Sequence, residues 1–175
     1  MKNITAVIAF FVISTGSFAQ NNITKAKISF ELKNLGIKTG GIIGGVQGNI
    51  AFDPTKLATS KIEAIADVNT INTDNDMRDE HLKRDNYFDV AKYPKMSLSS
   101  VSFKTASGSN FTGLFNLTIK GVTKAVEVPF TYATSSTGNL FKGSFKINRK
   151  DFKIGGNSMT MSDDVTINFE AEAPK

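Results

Sequence analysis

The chain has 175 residues, enough for one domain with a sizeable core and too few for two comfortable ones. It contains no cysteine, which excludes a disulfide scaffold and a lipid-modified cysteine anchor, and it has 14 phenylalanines but no tryptophan. The formal charge of +5 comes from lysines scattered along the chain and not from a basic stripe with exposed aromatics, so nucleic acid is not an expected partner.

Lys2 is followed by a run from Ile4 to Ile13 that is apolar except for Thr5, and by the small residues of Ser17-Phe18-Ala19. That order reads as an export signal cleaved near Ala19, because the run is well short of the roughly 20 residues that span a bilayer. The expectation is a single domain over residues 20–175, found in the periplasm or secreted.

From Thr24 onward the chain alternates with a period of two, as strands with one apolar and one wet face do. Ala26, Ile28, Phe30 and Leu32 share the first apolar face. A longer second strand carries Ile42, Gly44, Val46, Gly48, Ile50 and Phe52, with glycines placed to bend it around a corner. Ile62, Ala64, Ala66 and Val68 form a third. After a charged interruption come Met96 and Leu98, with the phase slipping to Val101 and Phe103 through a bulge near Ser99-Ser100. Phe111, Gly113, Phe115, Leu117 and Ile119 alternate most cleanly, and a hairpin turn around Lys120-Gly121 leads into Val126, Val128, Phe130 and Tyr132. Phe141, Gly143, Phe145 and Ile147, then Val165, Ile167, Phe169 and Ala171, complete eight strands. No long helical period intervenes, so the expected fold is all-β and antiparallel, an extended eight-stranded barrel in preference to a sandwich.

The charged interruption, Asn72 to Pro94, holds the single histidine, His81. Asp74 with Arg78, Asp79 with Lys83 and Glu80 with Arg84 are acid-before-base pairs four apart, which predicts a helix capped by Thr73 or Asp74 and ending by Asn86. The segment as a whole then presents Met77, Leu82, Tyr87 and Phe88 to the barrel as a lid. A calcium loop starting at Asn72 needs glycine where Met77 stands and glutamate where Lys83 stands, and zinc needs more nitrogen or sulfur donors than one histidine. No metal or other cofactor is expected.

Catalytic signatures fail as well. There is no Gly-x-Ser-x-Gly elbow, and His81 has no companion nucleophile or base. The segment Gly36 to Gly41, "GIKTGG", lacks the lysine of a phosphate loop, since Ile42 occupies that place. No catalytic residue is assigned.

Small residues in the apolar register, Ala26, Gly44, Gly48, Ala64, Ala66, Gly113 and Gly143, admit two readings: they relieve curvature around a phenylalanine-filled core, or they leave a narrow apolar channel. If a guest fills that channel, it meets Ile28, Phe30 and Leu32; Val46, Gly48, Ile50 and Phe52; Met96 and Leu98; Phe111, Gly113, Phe115 and Leu117; Val128 and Phe130; Phe141 and Phe145; and Phe169.

The charged segment "NTDNDMRDEHLKRDNYFDVAKYP", followed in order by "GLFNLTIKGVTKAVEVPFTY", "GSFKINRKDFKIG" and "DDVTINFEAEA", with "GNIAFDP" ahead of them, resembles the YceI-like family of exported polyisoprenoid-binding proteins. The resemblance implies a lipocalin-like barrel enclosing a long isoprenoid or related lipid, and it favours the channel. Burying about 20 prenyl carbons at about 0.8 kcal/mol each is on the order of 16 kcal/mol gross, of which association and chain ordering consume about 4–15 kcal/mol. Asp76, Arg78 and His81 are the polar candidates near a mouth. A fatty acid or fatty amide is the alternative cargo. An integral outer-membrane barrel and a lipid-converting enzyme relying on His81 are the competing classes. Transient membrane contact is compatible with the carrier reading, and the oligomeric state is open, a homodimer included.

Overall fold

The structure, a computed structural model, describes residues 21–175. The expected export signal lies outside the described residues.

One antiparallel sheet of ten strands makes up the domain. In chain order these are β1 (Asn21–Asn22), β2 (Lys25–Asn34), β3 (Ile37–Ile43), β4 (Gln47–Ala51), β5 (Lys61–Asp67), β6 (Lys95–Ser107), β7 (Asn110–Ile119), β8 (Val122–Thr134), β9 (Asn139–Asn148) and β10 (Asp164–Ala173), with one α-helix among the described residues, α1 (Asp76–Leu82), between β5 and β6. Their order across the sheet is β1-β4-β5-β6-β7-β8-β9-β10-β2-β3.

The sheet curls because its margins share chain. β1 pairs with β4, and two residues later β2 pairs with β10. Between them Ile23 N donates to Gly48 O at 2.9 Å and Thr24 N to Glu172 O at 2.8 Å, so one segment ties the β1–β4 end of the sheet to the β10–β2 pair near its other end. At the other margin Ile42 and Asn72 exchange backbone bonds, and Asp67 N donates to Gly44 O.

Ten strands replace the expected eight for two reasons. The two-residue β1 carries no apolar pattern, and the long second strand breaks at Gly44-Gly45, where Gly45 has φ of 61°. The break also shifts the phase: Ile43 is buried whereas Ile42 is exposed, reversing the face assigned to Ile42. A similar slip occurs in β6, where Val101 is the extra residue between the pairs Ser100–Phe115 and Ser102–Leu114 and points outward, while Phe103 returns inward opposite Gly113. The turn between β7 and β8 is Lys120-Gly121, both with positive φ, the geometry that matches strand twist in a two-residue hairpin.

α1 is shorter than expected. Asp74 takes φ of 58° and so stands outside it, Asn75 caps it by accepting from Arg78 N at 2.9 Å, and the helix ends before Arg84. None of the three expected pairs four apart forms; Glu80 pairs instead with Lys83 at 2.7 Å. Asp79 is buried, its carboxylate accepting from the Thr73 backbone N and hydroxyl. Met77 points to solvent at 83% exposure and takes no part in a lid.

The outer face is polar. Lys25, Lys27 and Glu31 on β2, Lys142, Ser144 and Lys146 on β9, and Glu170 and Glu172 on β10 alternate with the inward apolar rows, joined by Lys142–Glu170 at 2.9 Å and Lys25–Glu172 at 3.4 Å. An integral membrane barrel needs an apolar outer band, so this face argues against that class.

Candidate functional site

The interior has two parts. At one end Phe52, immediately after β4, stands with its ring centroid 5.2–5.6 Å from those of Phe103, Phe111, Phe130, Tyr132 and Phe141. Most of these contacts are edge-to-face, the arrangement ring quadrupoles favour. This end is a solid aromatic plug.

Beyond the plug the barrel is hollow. An apolar cavity of about 220 Å³ extends from Phe130 and Phe141 to Leu82, Tyr87, Phe88 and Ile154 at the opposite end. Ile28, Phe30, Met96, Leu98, Phe145 and Phe169 line it and are only half-buried although they face inward, as side chains bordering empty space are.

The closing end is built from three chain segments. The stretch after α1 brings Tyr87 and Phe88 over the cavity, and the loop between β9 and β10 meets it: Gly155 N donates to Asn86 O at 2.9 Å. Lys120 Nζ, on the β7–β8 turn, donates to Asp85 O at 2.6 Å and Lys153 O at 3.0 Å. Gly155 is required here. Its φ is 68°, and a Cβ would fall 2.8 Å from the Tyr87 ring.

Arg149 holds that loop in place. It is 2% exposed, and its guanidinium donates to Ile154 O (2.8 Å), Gly156 O (2.7 Å), Ser162 O (3.1 Å) and Asp163 Oδ1 (2.8 Å). A hydrogen bond from Lys150, with the charges of Lys150 and Arg149 beside it, holds the Asp163 carboxyl below its ordinary value. Although Arg149 borders the cavity, its donors are directed at backbone carbonyls and Asp163.

The structure brings fourteen of the expected residues to the cavity: Ile28, Phe30, Leu32, Val46, Ile50, Met96, Leu98, Phe115, Leu117, Val128, Phe130, Phe141, Phe145 and Phe169. Seven stand elsewhere. Phe52 and Phe111 belong to the plug. Gly113 is covered by rings, since a Cβ there would lie 2.3 Å from Phe115 Cε2 and 3.1 Å from Phe103 Cε1. Gly48 lies against β5, where a Cβ would come 2.1 Å from Glu63 O; its role is close strand approach.

The three polar candidates are also displaced. Asp76 is exposed at the start of α1, and Arg78 folds back to donate from Nε to Thr73 Oγ1 at 2.8 Å. His81 is exposed, its ring 4.9 Å from that of Tyr87, and does not line the cavity. Among the described residues no group of three or more His, Cys, Asp and Glu side chains is placed to hold a metal ion.

Sequence reasoning missed several lining residues, among them Ile43, Ile154, Met161 and, among the described residues, the one cation of the wall, Arg149. For Arg149 the signal was present: Phe141, Gly143, Phe145 and Ile147 alternate inward, and the next step of two is Arg149.

Known proteins resemble this chain in sequence and in fold. The UPF0312 protein of Yersinia pestis (strain Pestoides F) is 30% identical over 140 residues, covering 74% of this chain and 70% of that protein. The crystal structure of Burkholderia cenocepacia BcnA superposes with a TM-score of 0.81 at 27% identity, over 85% of this chain and 96% of that one. A polyisoprenoid binding domain from Saccharophagus degradans, implicated in plant cell wall breakdown, has the same fold at a TM-score of 0.67 and 16% identity, over 89% and 99% of the two chains. The model of the YceI-like domain matches residues 20–173, the whole of the sheet and its lid, and on that match the chain belongs to the YceI-like family.

Proposed function

We propose that the protein is an exported, non-catalytic carrier that holds the tail of a long-chain lipid, of isoprenoid type, in the barrel cavity. The observation that carries this reading is the apolar cavity of about 220 Å³ between the aromatic plug and the lid. An apolar void of about 150 Å³ stays dry and takes up a benzene-sized guest, so this one is suited to a slender hydrocarbon of similar girth and somewhat greater length. A tail of about 20 carbons exceeds that space; it loads only if the lid loosens or part of the tail remains outside. The solved domain from Saccharophagus degradans, named for polyisoprenoid binding, supports the choice of guest through its shared fold.

Apolar burial is non-directional, so this cavity selects by girth and length. Fatty acids and fatty amides of matching girth are therefore the alternative guests. An enzymatic reading finds little support, because His81 does not border the cavity and Arg149 is committed to the loop. The test is native mass spectrometry of freshly purified protein, followed by solvent extraction and reloading. The carrier reading predicts a co-purifying apolar molecule or saturable uptake of a prenyl quinone. Absence of both, with no uptake of any fatty chain, ends it.

A further inference from the structure

At the lid end, β2 and β3 project as a hairpin whose turn is Leu35-Gly36, with φ of 52° and 77°. Turns of this shape take asparagine or glycine at the first position, because a positive φ brings an ordinary side chain against its own backbone. Leucine is a poor choice there, and it gains no packing in return: Leu35 is 74% exposed, and Ile37 beside it is 71% exposed.

The segment leading to β10 runs alongside, with Leu35 N donating to Thr160 O at 2.9 Å and Ser162 N to Lys33 O at 2.7 Å. That register places Met159, whose side chain is fully exposed, beside Gly36. Three large apolar side chains thus project from one tip. Just behind them Lys33 and Lys38 are directly cross-strand neighbours. Like charges so placed repel each other. Lys38 is relieved by Glu31 at 2.7 Å, whereas Lys33 has no ion pair among the described residues.

Backbone strain at Leu35, exposed apolar mass and an adjacent lysine pair all find an explanation in one partner. We infer that the β2–β3 tip docks on an anionic lipid bilayer, with Leu35, Ile37 and Met159 entering the acyl boundary and Lys33 and Lys38 beneath the phosphates. Apolar insertion and basic charge together are what reversible membrane attachment requires. The position suits lipid exchange, and only this point rests on the carrier reading. On the inward side of the hairpin, Phe30 and Leu32 line the cavity, and the next pair on that face is Asn34 with Ile37, so the row leads from cavity to tip.

The test is co-sedimentation of the protein with vesicles of phosphatidylcholine alone or mixed three to one with phosphatidylglycerol. The wild type should bind the mixed vesicles and lose that binding in high salt. Leu35→Asn should bind about tenfold less, while unfolding at the same temperature or higher because asparagine suits the turn. Lys33→Gln combined with Lys38→Gln should weaken binding to the mixed vesicles alone. The inference is overturned if the wild type does not sediment with mixed vesicles, or if Leu35→Asn sediments equally well. It is likewise overturned if that variant dissociates an oligomer without affecting vesicle binding, which would make the tip a contact between copies. Uptake of a prenyl alcohol dispersed in solution, measured separately, reads the carrier function without the bilayer, so either reading can fail alone.

Discussion

Ala64→Ile distinguishes a hollow barrel from a packed one by the sign of its effect. Ala64 faces inward on β5 between Gly48 and Leu98, borders the cavity, and is only half-buried. Isoleucine adds three carbons, which contribute up to about 2.4 kcal/mol if they fill empty apolar space, less about 0.5–1 kcal/mol for the rotamer freedom they lose. The net stabilisation of about 1.5–2 kcal/mol corresponds to a rise in unfolding temperature of about 3–8 °C for a chain of this size. The same atoms occupy guest space, so uptake of a prenyl quinone should fall as stability rises. Thermal unfolding must be followed on lipid-stripped protein, since a retained guest would itself stabilise the wild type. In a filled interior the added carbons would instead cost about 1–3 kcal/mol through overpacking. A lower unfolding temperature with uptake unchanged would refute the hollow-barrel argument.

Gly113→Ala places a methyl group against the Phe115 and Phe103 rings; urea unfolding should show a loss of about 1–3 kcal/mol, with lipid uptake retained because Gly113 is outside the lining. Arg149→Met leaves the carbonyls of Ile154 and Gly156 without their donor and should cost about 3 kcal/mol or more, with faster amide exchange in the β9–β10 loop. Asp163 titrates below its ordinary value in the folded protein, so its contribution is complete above the unfolded value of about 3.9 and is lost as pH falls through the lowered folded value. Asp163→Asn should therefore lower stability at neutral pH, and the gap to wild type in denaturant titrations should close under acid.

Alternation exposed most of the barrel because each strand has one wet face; the inward rows of β7 and β9 can be read directly, Phe111 to Ile119 and Phe141 to Ile147. It failed where the chain changes phase. Ile42 and Val101 are apolar residues on the outer face, placed there by the Gly44-Gly45 break and the β6 bulge, and backbone irregularities of this kind depend on tertiary pairing. The site was legible to the same degree. Aliphatic lining follows from parity, but parity cannot separate Phe111 and Phe52 in the plug from Phe145 and Phe169 around the void, because that depends on which rings meet across the barrel. Charge spacing misled at α1. Asp79 satisfies Thr73 and Arg78 reaches back to it, so those side chains secure the start of the helix in place of pairing along its surface.

The aromatic stopper around Phe52 makes the chamber a cul-de-sac. On the carrier reading proposed above, a guest stopped by these rings lies with its tail innermost and its other end toward the lid. Under that proposal the chemically distinctive end need not pass through the protein, and a single scaffold would serve molecules that differ at that end while sharing the same greasy stem.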